Sequence, residues 1–150
     1  MAKLDYWAIR EEVRQRILAA HPEYVVELER EVQFSVEQNP WICIYIEQRN
    51  APGDAQRLSA GTRIRYRIPV KVWVWFYALE WEQAIRGRDT VLANVEYALI
   101  GTGTLSELVD FSWVEGGRMI SGRVANEAGA ADSFLSGAEL ILMVEVTMSL

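Results

Sequence analysis

One histidine, one cysteine and a run of arginines are the residues from which this 150-residue chain could build chemistry. His21 is the side chain that titrates near neutrality unaided, and a nucleophile needs such a base held beside it. It stands before Pro22 at the end of a helical pattern, where a capping or solvent-facing role is the ordinary one. Cys43 has no second cysteine to pair with, and one Cys with one His cannot assemble a tetrahedral metal cluster within one chain. Carboxylates are plentiful, yet none sits in a motif that would raise one pKa and leave its neighbour ionised. Gly101-Thr102-Gly103-Thr104 resembles part of a phosphate loop, but it follows a helical pattern, lacks the lysine and the third glycine, and reads as a helix stop. The expectation is a protein without a catalytic centre, a metal or a cofactor.

Charge carries more information. The chain has 15 basic and 21 acidic residues, a formal net charge of −6, and 13 of the basic residues are arginine. Between Arg57 and Lys71 stand five cations (Arg57, Arg63, Arg65, Arg67 and Lys71) and no anion, next to Trp73 and Trp75. A cationic strand with adjacent indoles could hold nucleic acid through phosphate contacts and stacking. It could equally dock on an acidic surface of a neighbouring copy, and Glu23, Glu27, Glu29, Glu31 and Glu37 against Arg30 supply one. A chain basic on one projecting element and acidic elsewhere suits head-to-tail association, which closes into a ring when the rotation allows. The six Trp point the same way, since large aromatics are enriched at interfaces.

These residues need elements to hold them. Residues 5–19 place Tyr6, Ile9, Val13 and Ile17 on one helical stripe, with Asp5 as N-cap and His21-Pro22 as the stop. Tyr24 to Val36 fits either period and is read as a strand. Asn39-Pro40 opens WICIYIEQ, apolar on both faces, the mark of a central strand. Arg49 to Thr62 is a long polar loop. Residues 63–76 then alternate without a break: Ile64, Tyr66, Ile68, Val70, Val72, Val74 and Phe76 on one face, and Arg63, Arg65, Arg67, Pro69, Lys71, Trp73 and Trp75 on the other. Fourteen strand residues reach about 45 Å, more than the roughly 40 Å across a compact domain of this length. The strand is therefore expected to overhang as one arm of a hairpin with the polar loop at its tip, and Pro69 to interrupt the ladder as a bulge or as an edge where core strand becomes arm. Trp81 to Leu99 is a second helix, ended by Gly101, with Gly87 as a candidate break and Asp89 as the cap of a shortened helix. Leu105–Glu115 and Met119–Val124 flank Gly116-Gly117 as a hairpin, the loop NEAGAADS follows, and Ala138 to Met148 closes the chain as a half-buried strand.

Helix, strands, helix and strands in that order predict one α+β domain over residues 1–150. It has a mixed or antiparallel β-sheet, two α-helices packed on one face and a projecting β-hairpin arm. No apolar run is long enough to span a bilayer and the N-terminus lacks the apolar core of a signal peptide, so a cytoplasmic origin and no membrane partner are expected.

The order and spacing of these elements resemble the tail terminator, or tail completion, proteins of long non-contractile-tailed bacteriophages. The likeness rests on the short N-terminal helix, Asn39-Pro40 with its apolar strand to Ile46, the polar loop, the long strand Thr62 to Phe76 and the helix from Trp81 to Ile100. It continues through Leu105-Ser106-Glu107-Leu108-Val109 and the close from Phe134 through Gly137 to Met148. Glu23–Glu37 and Asn126–Ser133 fall outside it. The resemblance implies a homo-hexameric ring in the virion, at the head-proximal end of the tail, assembled in the host cytoplasm. Such a ring binds the finished tail tube, stops its polymerisation and meets the head-tail connector or neck proteins, with DNA only passing through the lumen. In that setting Arg57, Arg63, Arg65, Arg67, Lys71, Trp73 and Trp75 are the subunit-interface candidates. Asn50, Pro52, Gly53, Asp54, Asn126 and Asp132 are candidates for loops that dock on tube or connector. Another neck, connector or tube subunit is the near alternative, and a nucleic-acid-binding β module the far one.

Overall fold

The computed structural model describes residues 4–30, 39–47, 57–58, 63–100, 109–125 and 131–149. Helix α1 (Tyr6–Ala20) begins where the sequence says it should: the Asp5 carboxylate accepts from the Ala8 amide at 3.0 Å, and Ile9, Val13 and Ile17 are buried. The His21 amide still donates to Ile17 before Pro22 turns the chain away. Strand β1 (Val25–Leu28) is the described part of the ambiguous acidic stretch, and it stops at Glu29, which takes a left-handed φ of 55°. Strand β2 (Trp41–Tyr45) is central, as its two apolar faces require: it runs parallel to β1 and antiparallel to β4 (Arg63–Ala78), and Trp41 through Ile44 are buried.

Strand β4 (Arg63–Ala78) and the last strand, β7 (Ala131–Ser149), form the spine of the sheet. They pair antiparallel over sixteen successive positions, from Arg63 opposite Ser149 to Ala78 opposite Phe134, with no shift of register. Strict alternation then sorts the side chains. Ile68, Val70, Val72 and Val74 meet Leu140, Leu142 and Val144 on the face that both helices cover, and Ile42, Ile44, Val91, Val95 and Leu99 complete the core. Both helices thus lie on one face of a mixed, open sheet. Its order is β1-β2-β4-β7-β5, where β5 is Phe111–Gly116, with β3 (Arg57–Leu58) on β4 and β6 (Met119–Ala125) on β7.

The arm differs in detail from the expectation. The polar loop does contain a short antiparallel partner, β3, but the long ladder of the arm is made with β7. Pro69 stands in register opposite Met143 with no bulge. Nor does the core strand become arm there: β2 leaves β4 at Tyr45 opposite Lys71, but Ile68, past Pro69, is still fully buried and Tyr66 packs against the core. Sixteen strand residues span about 50 Å, so the Arg63 end extends past β2 and β5.

Three further expectations are corrected. Helix α2 (Trp81–Ile100) runs unbroken through Gly87, so Asp89 is an interior helical residue and not a cap. Gly87 is there for space: a Cβ would lie 2.2 Å from the Phe76 ring. Strand β5 (Phe111–Gly116) and β6 do not form a hairpin with each other. Both pair with β7, end to end along one edge, with an irregularity between Val114 and Gly116. The sixth strand can continue along that edge because Gly116 adopts a φ of 99°, and because Gly117 lets the chain pass against the carbonyl of Glu139. Asp132 belongs to β7, which begins at Ala131, and not to a loop. The second half of the acidic stretch, most of the polar loop, the Gly101 cap, Leu105 to Leu108 and residues 126–130 lie outside the described residues.

A Cβ on Gly117 would sit 1.7 Å from the Glu139 carbonyl oxygen, whereas one on Gly122 meets nothing within 4 Å. Gly117→Ala should therefore lose about 2 kcal/mol or more in urea denaturation, and Gly122→Ala should stay within about 1 kcal/mol of the wild type. Equal stabilities for the two variants would contradict the close approach.

Candidate functional site

Three of the cations singled out by the sequence, Arg65, Arg67 and Lys71, lie on the sheet face opposite the helices, and the ladder sets carboxylates beneath them. Arg67 stands opposite Glu145, and Arg65 one pair further out. The Glu145 side chain is 8% exposed; it accepts a hydrogen bond from Arg67 Nε at 3.1 Å and forms an ion pair with Arg65 Nε at 3.3 Å, while those arginines are 47% and 40% exposed. Two strand positions of the same parity, two residues apart, reach one acceptor because same-face neighbours on adjacent strands are within reach of long side chains. The arrangement repeats at Glu139, opposite Trp73: Arg118 lies 3.5 Å from its Oε2 and Lys71 4.0 Å, and Lys71 also meets Glu47 at 2.8 Å. Carboxylates lie underneath and cations outermost.

Aromatic rings tile the same face. Trp73 and Trp75 stack at 5.3 Å with 12° between planes, and Trp75 lies over Gly137, where a Cβ would come within 2.5 Å of the indole. The guanidinium of Arg118 is 5.7 Å from the Trp73 ring and that of Arg67 is 6.0 Å from Trp113, so two cations are held between a carboxylate and an indole face. Trp41, opposite Trp75, is buried. Five of the interface candidates (Arg65, Arg67, Lys71, Trp73 and Trp75) are therefore one contiguous surface. Arg57 and Arg63 are in the β3–β4 ladder, but their side chains are outside the description, as are Asn50, Pro52, Gly53, Asp54 and Asn126 altogether.

The acidic surface expected to receive this face is partly occupied by its own chain. Glu29 pairs with Arg10 at 2.7 Å, Glu23 lies 3.3 Å from the His21 ring, and Glu27 is 3.9 Å from Arg30. Sequence reasoning missed Glu139, Glu145, Arg118 and Trp113. The two glutamates look like the solvent side of an alternating strand, and nothing short of the long-range register reveals that each lies under a pair of cations.

Among the described residues, two groups have a titration that the fold moves, and both move away from neutrality. Burial raises the Cys43 thiol, against the opposing hydrogen bond with Tyr45, and burial likewise pushes the Tyr45 hydroxyl up. The Tyr45 hydroxyl donates to the Arg30 carbonyl. Neither group is poised as a base or nucleophile at pH 7; they tie the segment after β1 to β2.

No protein-family model matches the chain, and no curated protein matches it. Among solved structures it is similar to a chain in the virion of a native gene transfer agent particle, with 18% identity and a TM-score of 0.56 over 94% of this chain and 99% of that one. It is also similar to a chain in the sheath/tube terminator, in the extended state, of an extracellular contractile injection system, PVC. There the identity is 11% and the TM-score 0.52 over 99% of this chain, which spans 58% of that one. At these identities the likeness is one of fold: the α+β domain described above is an architecture found in a virion chain and in a chain of a sheath/tube terminator.

Exposed ion pairs contribute at most about 1 kcal/mol, but a buried carboxylate stripped of its cations is left uncompensated. Arg65→Met/Arg67→Met should cost about 1 to 3 kcal/mol in urea denaturation at pH 7, and adding Glu145→Gln should restore most of the loss. A loss that Glu145→Gln deepens would mean that the cations act through something other than this carboxylate.

Proposed function

We propose that this protein is a structural subunit of a phage-tail-type particle, a ring-forming terminator that caps the tail tube and stops its growth. The observation that carries the reading is the fold likeness, over 94% and 99% of this chain, to a chain in a gene transfer agent virion and to a chain in the sheath/tube terminator of a contractile injection system. The resemblance in element order supports the finer points: a homo-hexamer, a place at the head-proximal end of the tail, contact with the tube on one side and with the connector on the other, and a lumen through which DNA passes. The acidic balance of −6 suits that lumen, because like charge keeps DNA from sticking.

The physical requirements of such a ring are a rigid body and two unlike surfaces that meet between copies. The sixteen-pair ladder supplies the rigid body. The cation-and-indole face, with Arg65, Arg67, Lys71, Trp73 and Trp75, together with the β3–β4 ladder that carries Arg57 and Arg63, is the proposed contact to a neighbour. The segments holding Asn50, Pro52, Gly53, Asp54 and Asn126, with Asp132 at the start of β7, are proposed to meet the tube or connector. The work is binding, and no reaction is assigned to it.

Light scattering of the purified protein alone and with preformed tail tubes, followed by negative-stain imaging, tests the reading. A six-fold ring, free or on one end of a tube, is the expected result. Growth into filaments would make the protein a tube subunit. A monomer that ignores tubes and binds DNA with an affinity falling steeply with salt would replace the proposal with a nucleic-acid role.

A further inference from the structure

Both helices lie on one face of the sheet, and among the described elements none covers the other. An antiparallel sheet can turn one face to water, but that face is then polar along its strands. Here the register puts Trp73 and Trp75 of β4, Ile141 and Met143 of β7, and Phe111 and Trp113 of β5 on the face away from the helices. Phe111 is 61% exposed and the other five are half-buried. The charges of this face can be met from outside at one end. Glu139 is buried there, whereas the Arg118 side chain beside it is 71% exposed, lies over Trp73 and gives Glu139 Oε2 no hydrogen bond. The Arg118 carbonyl is bonded to the Glu139 amide, and Phe111 stands opposite Glu145, so the two lie six residues apart along β7, about 20 Å. A surface that fits carries a carboxylate at one end and apolar side chains about 20 Å further on.

The outer side of α2 has that pattern. Glu82, Arg86, Thr90, Ala93, Tyr97 and Ile100 recur at helical spacing and are all exposed, while Ala84, Val91, Val95 and Leu99 are buried on the side toward the sheet. The stripe is charged where it begins: Glu82 and Arg86 pair at 2.7 Å with side chains 72% and 79% exposed, and a pair so exposed holds neither group firmly. It is apolar where it ends, with Tyr97 80% exposed and Ile100 58%. From Glu82 to Tyr97 the helix rises about 22 Å, close to the span from Arg118 to Phe111. Helix α1 offers no match, because Glu11 and Glu12 are far less exposed than Glu82 and Trp7 borders a hollow between α1 and β1. We propose that the uncovered sheet face of one copy receives the outer stripe of α2 from a second copy, laid along β7 with Glu82 at Arg118 and Tyr97 at Phe111. The inference rests on the copy-to-copy assembly proposed above and names the surface that meets the cation-and-indole face, which is not the Glu23–Glu37 stretch. Stripe and face lie on opposite sides of the domain, so no copy satisfies itself and each offers both. The contact is heterologous, the kind that closes into a ring when the rotation allows.

Variants at exposed positions test this. Tyr97→Arg spoils the stripe and Phe111→Arg spoils the face. Both should melt as the wild type does, and self-association in sedimentation velocity, alone and with tail tubes, should weaken roughly tenfold or more for each. Mixed, they should form a one-to-one heterodimer that grows no further, since the pair has one intact face and one intact stripe. At the charged end, Glu82→Gln and Arg118→Gln should each weaken association about two- to fivefold. The double variant should lose no more than the worse of the two, because either change already breaks the pair. Losses that add in the double variant would overturn the placing of Glu82 at Arg118. If Tyr97→Arg or Phe111→Arg assembles as the wild type does, the inference falls and the ring stands. Variants that fail alone and do not rescue each other on mixing would show that stripe and face belong to different contacts, which also overturns it. A wild-type chain monomeric at every concentration, with and without tubes, would remove the assembly reading itself and the inference with it.

Discussion

Everything in this molecule hangs on the unshifted pairing of β4 with β7. With side chains alternating at every residue, sixteen pairs in one register commit two strands at once to a division of labour between faces. A slip by one position would carry the valines and isoleucines of β4 to the charged face and its arginines under the helices. Burying several arginines without partners would cost far more than the whole stability of a domain of this size, so the register has no nearby competitor. The apolar stripes of α1 and α2 close on a surface that this pairing has already made.

The same register makes the opposite face unlike an ordinary solvated one. Glu139 and Glu145 are buried among rings and stems, and each is offset by cations that reach over it from neighbouring strands. The gain in stability from such pairs is small, since desolvation removes most of what attraction supplies. Their consequence is geometric: guanidiniums held between a carboxylate and an indole keep less rotational freedom than free surface arginines. A surface ordered in advance loses less entropy on docking than a flexible one. It also presents less net charge than the five cations in sequence suggest, which weakens the case for phosphate as their partner.

What could be read from the sequence divides along a physical line. The helix at Tyr6 with its Asp5 cap, the doubly apolar strand at Trp41, the fourteen-residue alternation from Arg63 and the apolar face of the closing strand are local patterns, and local sterics and burial enforce them. Pairing is not local. Gly116-Gly117 carries a hairpin signal, yet β7 offers a free edge long enough for both flanking strands, and that ladder outcompetes a two-strand hairpin. Gly87 looks like a helix stop because the ring that excludes a side chain there, Phe76, lies on another element. Glu139 and Glu145 look solvated for the same reason, and Asp132 looks like loop because its neighbours are small.

The long spine also explains why the chain has two unlike ends to offer. A strand pair longer than the domain must overhang, and with the helices placed over its middle the outermost strands lie beyond their cover. One end is then a ladder bearing the arginines of β4, and the other margin is the open edge of β5 and β6, with Met119 and Ile120 exposed along it. An isolated domain would blunt both, by shortening the overhang or by covering the edge, because exposed apolar area and open edges invite association. Keeping both suits a chain whose finished state is an array, in which an overhanging ladder and an open edge are surfaces still to be covered.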